Sequence, residues 1–182
     1  MFWSGKDENI EFERALDEVV HSGPLVLDVG CGGHKVDPSV VGVDPHAEGP
    51  MVNVQAYMWD LPFADASVDG LVCMSALEHI SKFQVLPALA EFNRVLKPGA
   101  KFIILVPDLL FVLQAFLEKP TVEWEMDMLF GIQTHEGEFH RTGFTREIFE
   151  QYFQEAIPNG KILAMYTVNA YSQINIGVLA QR

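Results

Sequence analysis

Short apolar runs punctuated by turn residues constrain this chain most. They are "LVLDV" (25–29), "VVGVD" (40–44), "MVNVQ" (51–55), "VDGLVCM" (68–74) and "KFIILVP" (101–107). Several are apolar nearly throughout. Such runs are strands of a parallel sheet whose two faces are both covered. Segments with helical spacing surround them. Ile10, Leu16, Val19 and Val20 predict an amphipathic leading helix that ends at His21-Ser22-Gly23-Pro24. "QVLPALAEFNRVLKPG" predicts a helix with Leu86, Leu89, Phe92, Val95 and Leu96 on one face, stopped by Pro98-Gly99. "TREIFEQYFQEA" (145–156) predicts another, with Thr145 as N-cap. "KILAMYTVNAY" and "QINIGVLAQR" alternate in part and read as a closing antiparallel pair. The sum is a doubly wound α/β sheet.

Length and charge narrow the function. The 182 residues suit a single domain, 1–182, with enough chain for a substantial core. The formal charge is −13, from 25 acids and 12 bases. That balance repels phosphate polymers and anionic membrane surfaces, so neither nucleic acid nor membrane is an expected partner. The first twenty residues lack the apolar core of a signal peptide, and "LLFVLQAFL" is too short to span a bilayer. A cytoplasmic protein is expected. Cys31 and Cys73 form no metal spacing and fit a reducing compartment.

The stretch "LDVGCGGHKVDPSVVGVD" (27–44) carries the chemistry. A strand runs into Gly30-Cys31-Gly32-Gly33, and the next strand ends in Asp44. A pyrophosphate site would want GxGxxG before a helix, but the third position holds Lys35 and the connection leaves no room for the helix. A nicotinamide-dependent oxidoreductase is therefore disfavoured. An acid at the end of the second strand suits ribose hydroxyls, and Asp28 adds a carboxylate beside the glycines. Two acids around such a loop suit a cofactor with a ribose and a cationic group.

"VLDVGCG" (26–32), "VGVD" (41–44), "LPFADASVDGLVCMSALEHI" (61–80) and "EFNRVLKPGAKFIILVPD" (91–108), in this order, resemble the class I S-adenosylmethionine-dependent methyltransferases. "FGIQTHEGEFHRTGFT" (130–145) is similar to a segment of small members of that family. The resemblance implies a Rossmann-like seven-stranded sheet with an antiparallel last strand, here with a shortened connection between strands 1 and 2. It implies S-adenosylmethionine across the strands' carboxyl ends. Gly30 and Gly32 would lie against its methionine part with Asp28 near the amino group, and Asp44 would hold the ribose. Cys31 belongs to the same loop and reads as a small packing residue. Met74 and Ser75 would line the methyl-donor side. Tyr57 and Met58 stand where most members carry an Asp-Ala pair against adenine. Asp60 is the nearest carboxylate for the adenine amino group, and Tyr57 offers a ring to stack on the base. A third glycine of most members is replaced by His34.

Methyl transfer needs an aligned acceptor and, for oxygen or nitrogen acceptors, a proton taken up. His79 and His140 are the expected catalytic residues, with His135, Glu78 and Asp108 as further candidates. No metal is expected. His135, Glu136, Glu138 and His140 have the content of a metal site without an i, i+4 spacing, and read as a solvated or substrate-binding loop. Residues 108–143, after a strand's carboxyl end, are expected to form a lid or substrate insertion. "LLFVLQAFL" within it is core, lid or homodimer contact. The expected function is methyl transfer to a small-molecule acceptor. The alternative is a non-catalytic partner that keeps the fold and binds the cofactor weakly or not at all.

Overall fold

β-Branched and aliphatic residues build four parallel strands, β1 (Val26–Val29), β2 (Val41–Val43), β3 (Val68–Met74) and β4 (Leu96–Pro107). Two more, β5 (Lys161–Ala170) and β6 (Gln173–Gln181), complete a six-stranded sheet of order β2-β1-β3-β4-β6-β5. β6 is antiparallel to both neighbours, as expected for the closing pair. The computed structural model describes residues 6–118, 124–170 and 173–182. Tyr171, assigned above to a strand, lies outside them.

Helices cover both faces, which is why the strands are apolar on both sides. α1 (Lys6–Val20) buries Phe12, Ala15 and Val19 against Val26, Val72, Ile103 and Leu105. α2 (Lys82–Val95) and α5 (Arg146–Ala156) bury Leu89, Phe92, Phe149 and Phe153 against Leu27, Leu71, Phe102 and Ile104. Ser81 closes a capping box with Gln84, and Thr145 accepts from the Ile148 N–H. The buried face of α2 is Val85, Ala88, Leu89, Phe92 and Val95, while Leu86 is only half-buried. The helix stops at Val95, before Pro98-Gly99, because Leu96 already joins β4.

The seventh strand is not formed among the described residues. "MVNVQ" makes a single parallel bridge, Val43 to Val54. The Asn53 side-chain oxygen accepts the Gly42 N–H at 2.9 Å and so takes over a group that a ladder would need. The connection between β1 and β2 is short, and residues 30–40 run through turns and bends. Lys35 holds it from within: Nζ donates to the carbonyls of Val40 (2.8 Å) and Pro38 (3.1 Å) and to the Asn53 side chain (3.3 Å).

One arginine shapes the loop before β3. Arg94 on α2 donates to the carbonyls of Leu61 and Phe63, to Asp65 and to both oxygens of Glu91. Glu91 in turn accepts the Leu61 N–H at 2.8 Å. Arg94→Met is expected to lower stability by about 2 kcal/mol in urea unfolding. Arg94→Lys should recover less than half of that, because an ammonium cannot span a carboxylate and two carbonyls at once.

The chain leaves the sheet at Asp108 and returns at Phe144, and these two residues form an isolated parallel bridge. Between them lie α3 (Leu109–Glu118), α4 (Trp124–Phe130) and a 3-10 turn (Glu136–Glu138). Asp108 Oδ1 accepts the Leu110 N–H and starts α3. Only Val112 of α3 is buried, and Leu110, Leu113 and Leu117 are exposed. "LLFVLQAFL" is therefore not core: the helix rests on the sheet's carboxyl edge instead of within it.

Candidate functional site

Loops leaving β1, β2 and β3 enclose a cavity of about 900 Å³ with segment 135–141 of the insertion. Gly30 and Gly32 adopt φ of 76° and 56°, conformations open to glycine but costly to other residues. Gly30 lets the loop after β1 meet Ala76 after β3, where a Cβ would come within 2.3 Å of the Ala76 Cβ. Gly32 is different: a Cβ there would meet nothing within 4 Å, and the residue faces the cavity. Its bare backbone is a cradle for a ligand.

Asp44 fixes this cradle. Its Oδ2 accepts the Gly32 N–H at 2.9 Å, and its Oδ1 accepts the N–H groups of His46 (2.8 Å) and Ala47 (2.7 Å). A carboxylate has about four lone-pair sites, so about one remains for a ligand hydroxyl. Asp28 is buried under the loop, where its Oδ2 accepts the Val36 N–H at 2.8 Å. Burial pushes its carboxyl up to about 6, against the pull of that N–H and of Lys35. Burial likewise raises the Cys31 thiol to about 11, so it is an inert packing thiol at neutral pH.

The opposite wall is aromatic. Tyr57 stacks on Trp59 with ring centroids 4.7 Å apart, and His46 meets Tyr57 edge-on at 5.9 Å. Met58 lies between the two stacked residues in sequence and also reaches the cavity. Ser75 closes the end of β3 with φ of 48°, a strained conformation for a non-glycine residue. Its Oγ is buried without a partner among the described residues.

Beyond Ser75 the 3-10 turn Leu77–His79 brings Glu78 and His79 under segment 140–142. The N–H groups of Arg141 and Thr142 donate to the Glu78 carbonyl, and Thr142 Oγ1 donates to the Ile80 carbonyl. His79 and His140 thereby come to 4.9 Å between ring centroids. Burial, then the neighbouring His140, push His79 down to about 4, and burial also lowers His140. Both imidazoles are uncharged at neutral pH. Burial drives Glu78 up to about 8.

Of the residues expected from the sequence, Gly30, Gly32, Asp44, Tyr57, Met58, Ser75, His79 and His135 line the large cavity. Asp28, Cys31, Asp60 and Met74 stand outside its lining. His140 and Glu78 line a second, small cavity under α3 and α4. His46, Trp59, Gln84 and Arg141 also line the large cavity and were not expected. An aromatic pair at i, i+2 was the available signal for Trp59. Gln84 and Arg141 offered none, because each arrives through tertiary packing.

Residues 27–104 match a family model described as a methyltransferase domain. The chain is 30% identical over 105 residues to an O-methyltransferase of Penicillium expansum, covering 45% of this chain and 37% of that protein. The chain spans about half the length, or less, of the curated relatives it matches. Two solved structures share the fold. A SAM-dependent methyltransferase from Methanosarcina mazei superposes with a TM-score of 0.67 at 16% identity, over 92% of this chain and 96% of the other. A Burkholderia thailandensis 1,6-didemethyltoxoflavin-N1-methyltransferase, bound to its substrate and S-adenosylhomocysteine, gives 0.61 at 16% identity, over 98% and 79%.

Proposed function

We propose that this chain, whose residues 27–104 match a methyltransferase-domain model, is a member of the class I S-adenosylmethionine-dependent methyltransferase family and methylates an oxygen or nitrogen of a small molecule. The observation that carries this reading is the continuity of the cavity from Gly32 and Asp44 to His79 and Arg141. A cofactor and an acceptor need to meet end to end, and at about 900 Å³ this cavity lies near the top of the range for ligand pockets.

The residues present fit S-adenosylmethionine, the cofactor of this family. Gly32 would take the amino-acid part, Asp44 one ribose hydroxyl, and Tyr57 with Trp59 the adenine. When bound, the cofactor supplies an electrophilic methyl group on a sulfonium. The chain's own part is to align the acceptor, exclude water and take up a proton. His79 faces the acceptor end of the cavity, with His140 behind it. The described part of the 108–143 insertion would act as a lid, with segment 135–141 bordering the cavity. The likeness to an O-methyltransferase supports an oxygen acceptor.

Calorimetry with S-adenosylhomocysteine tests the cofactor reading. Binding is expected, with a Kd weaker than about 1 µM because Asp44 retains little free capacity and the connection is short. Sub-micromolar binding would contradict the weak grip. One observation favours the second reading, a non-catalytic partner: three backbone N–H groups already occupy Asp44. Silence at about 1 mM ligand would select it. Once an acceptor is found, His79→Ala is expected to lower kcat by about 100-fold, and His140→Ala by less. Full turnover in both variants would remove these histidines from the reaction.

A further inference from the structure

We propose that Glu78, His79 and His140 form a binding site for a divalent first-row transition-metal ion, set in the wall between the large cavity and the small one under the insertion. Each side chain offers one ligand atom, and the three atoms lie within 4.8 Å of one another. Ligands on a tetrahedral Zn²⁺ ion sit about 3.4 Å apart, so closing the site needs the outermost pair to approach by up to about 1.4 Å, which side-chain rotation can supply.

Three features separate this cluster from a chance grouping. First, Glu78 is 2% exposed, yet its Oε2 has no hydrogen-bond partner among the described residues. An orphaned buried carboxyl oxygen is costly unless something fills the position. Second, both imidazoles have fixed outer partners. His79 Nδ1 lies 3.3 Å from the Phe139 carbonyl and His140 Nδ1 lies 2.8 Å from the Met128 carbonyl. A carbonyl accepts from Nδ1–H, which leaves the lone pair on Nε2. Metal-binding histidines are oriented in this way. Third, main-chain bonds from Arg141 and Thr142 to the Glu78 carbonyl hold the two arms together. The juxtaposition is therefore built into the backbone and does not depend on side-chain chance.

Two imidazoles and one carboxylate suit Zn²⁺, Co²⁺ or Fe²⁺ better than Mg²⁺ or Ca²⁺. Three protein ligands leave positions open, as in sites that bind a second molecule. His79 lines the large cavity. With the ion bound, His79 is its ligand and no longer takes up a proton; the open positions would take water or an acceptor oxygen there, a role that rests on the methyl-transfer reading. The sequence conceals the site because His140 is remote from Glu78 and His79 along the chain.

The test is a titration of the chelator-treated chain with Co²⁺, read by visible absorption, and with Zn²⁺, read by calorimetry. A single site with d–d bands is expected. Glu78→Gln and His140→Ala should each weaken it at least about 100-fold. His135→Ala is the control, since His135 is exposed and lies outside the three-residue cluster, with its Nε2 3.5 Å from half-buried Glu138, and it should leave the spectrum unchanged. Circular dichroism verifies that the variants fold, and His140→Gln replaces any that does not. The proposal is overturned if the wild-type chain shows no saturable site at about 1 mM metal. It is equally overturned if His135→Ala abolishes binding while the other variants keep it. Metal binding needs no S-adenosylhomocysteine, so the two readings fail separately.

Discussion

Gly30→Ala is expected to cost the fold about 3 kcal/mol, whereas Gly32→Ala costs it about 1 kcal/mol but weakens S-adenosylhomocysteine at least about 100-fold. Both residues hold positive φ, so a side chain brings strain at either position. They differ in what the new Cβ meets. At Gly30 it would stand 2.3 Å from the Ala76 Cβ, buried between two loops that cannot part without moving β1 or β3. Overpacking adds to the strain there. At Gly32 the same atom enters open cavity. It disturbs nothing in the empty protein and occupies the space a ligand needs. Thermal unfolding and calorimetry on the same two variants separate these outcomes. Equal loss of binding at equal stability would mean that Gly32 is only a turn residue.

The fold was legible wherever a local pattern decided it. β1, β3 and the apolar part of β4 stand out because both sheet faces are covered. α2 stands out by its helical spacing, and α5 by helical spacing together with its Thr145 cap. The failures have local causes. "MVNVQ" alternates like a strand, but Asn53 turns its side chain onto Gly42 N–H and the ladder stops at one bridge. "LLFVLQAFL" left core, lid and homodimer contact open, and α3 sits on an edge with Leu117 79% exposed, which removes only the first. Composition does not report which side of a helix has a neighbour.

Site residues at strand ends were legible because the order of the strands brings their loops together. Gly30, Gly32, Asp44 and Ser75 are of this kind. Residues delivered by long-range packing were not. Trp59 reaches the cavity on a loop shaped by Arg94, which lies on a different element. His140 meets His79 only because segment 140–142 bonds to the Glu78 carbonyl. The two histidines were chosen separately from the sequence, and their contact could not be read from it.

Asp28→Asn should stabilise the chain by about 3 kcal/mol at pH 8 and by little at pH 4. The folded carboxyl is raised from 3.8 to about 6, chiefly by burial. A raised carboxyl means that the folded state holds the proton more tightly than the unfolded chain. Its contribution is therefore complete below about pH 4 and is lost as pH rises through about 6. Asparagine is neutral throughout and keeps an oxygen for the Val36 N–H. The difference in Tm between variant and wild type should grow from pH 4 to pH 7 and then level off. A flat difference would mean that Asp28 is not forced into a costly ionisation. The same variant decides what the carboxylate does. If Asp28 reaches the amino group of the cofactor, the substitution weakens S-adenosylhomocysteine by about tenfold or more. If it serves only to hold the short loop through Val36, binding stays within about threefold while stability rises. The buried geometry of Asp28, outside the cavity lining, favours the second result. The short connection would then have exchanged a ligand contact for a loop anchor.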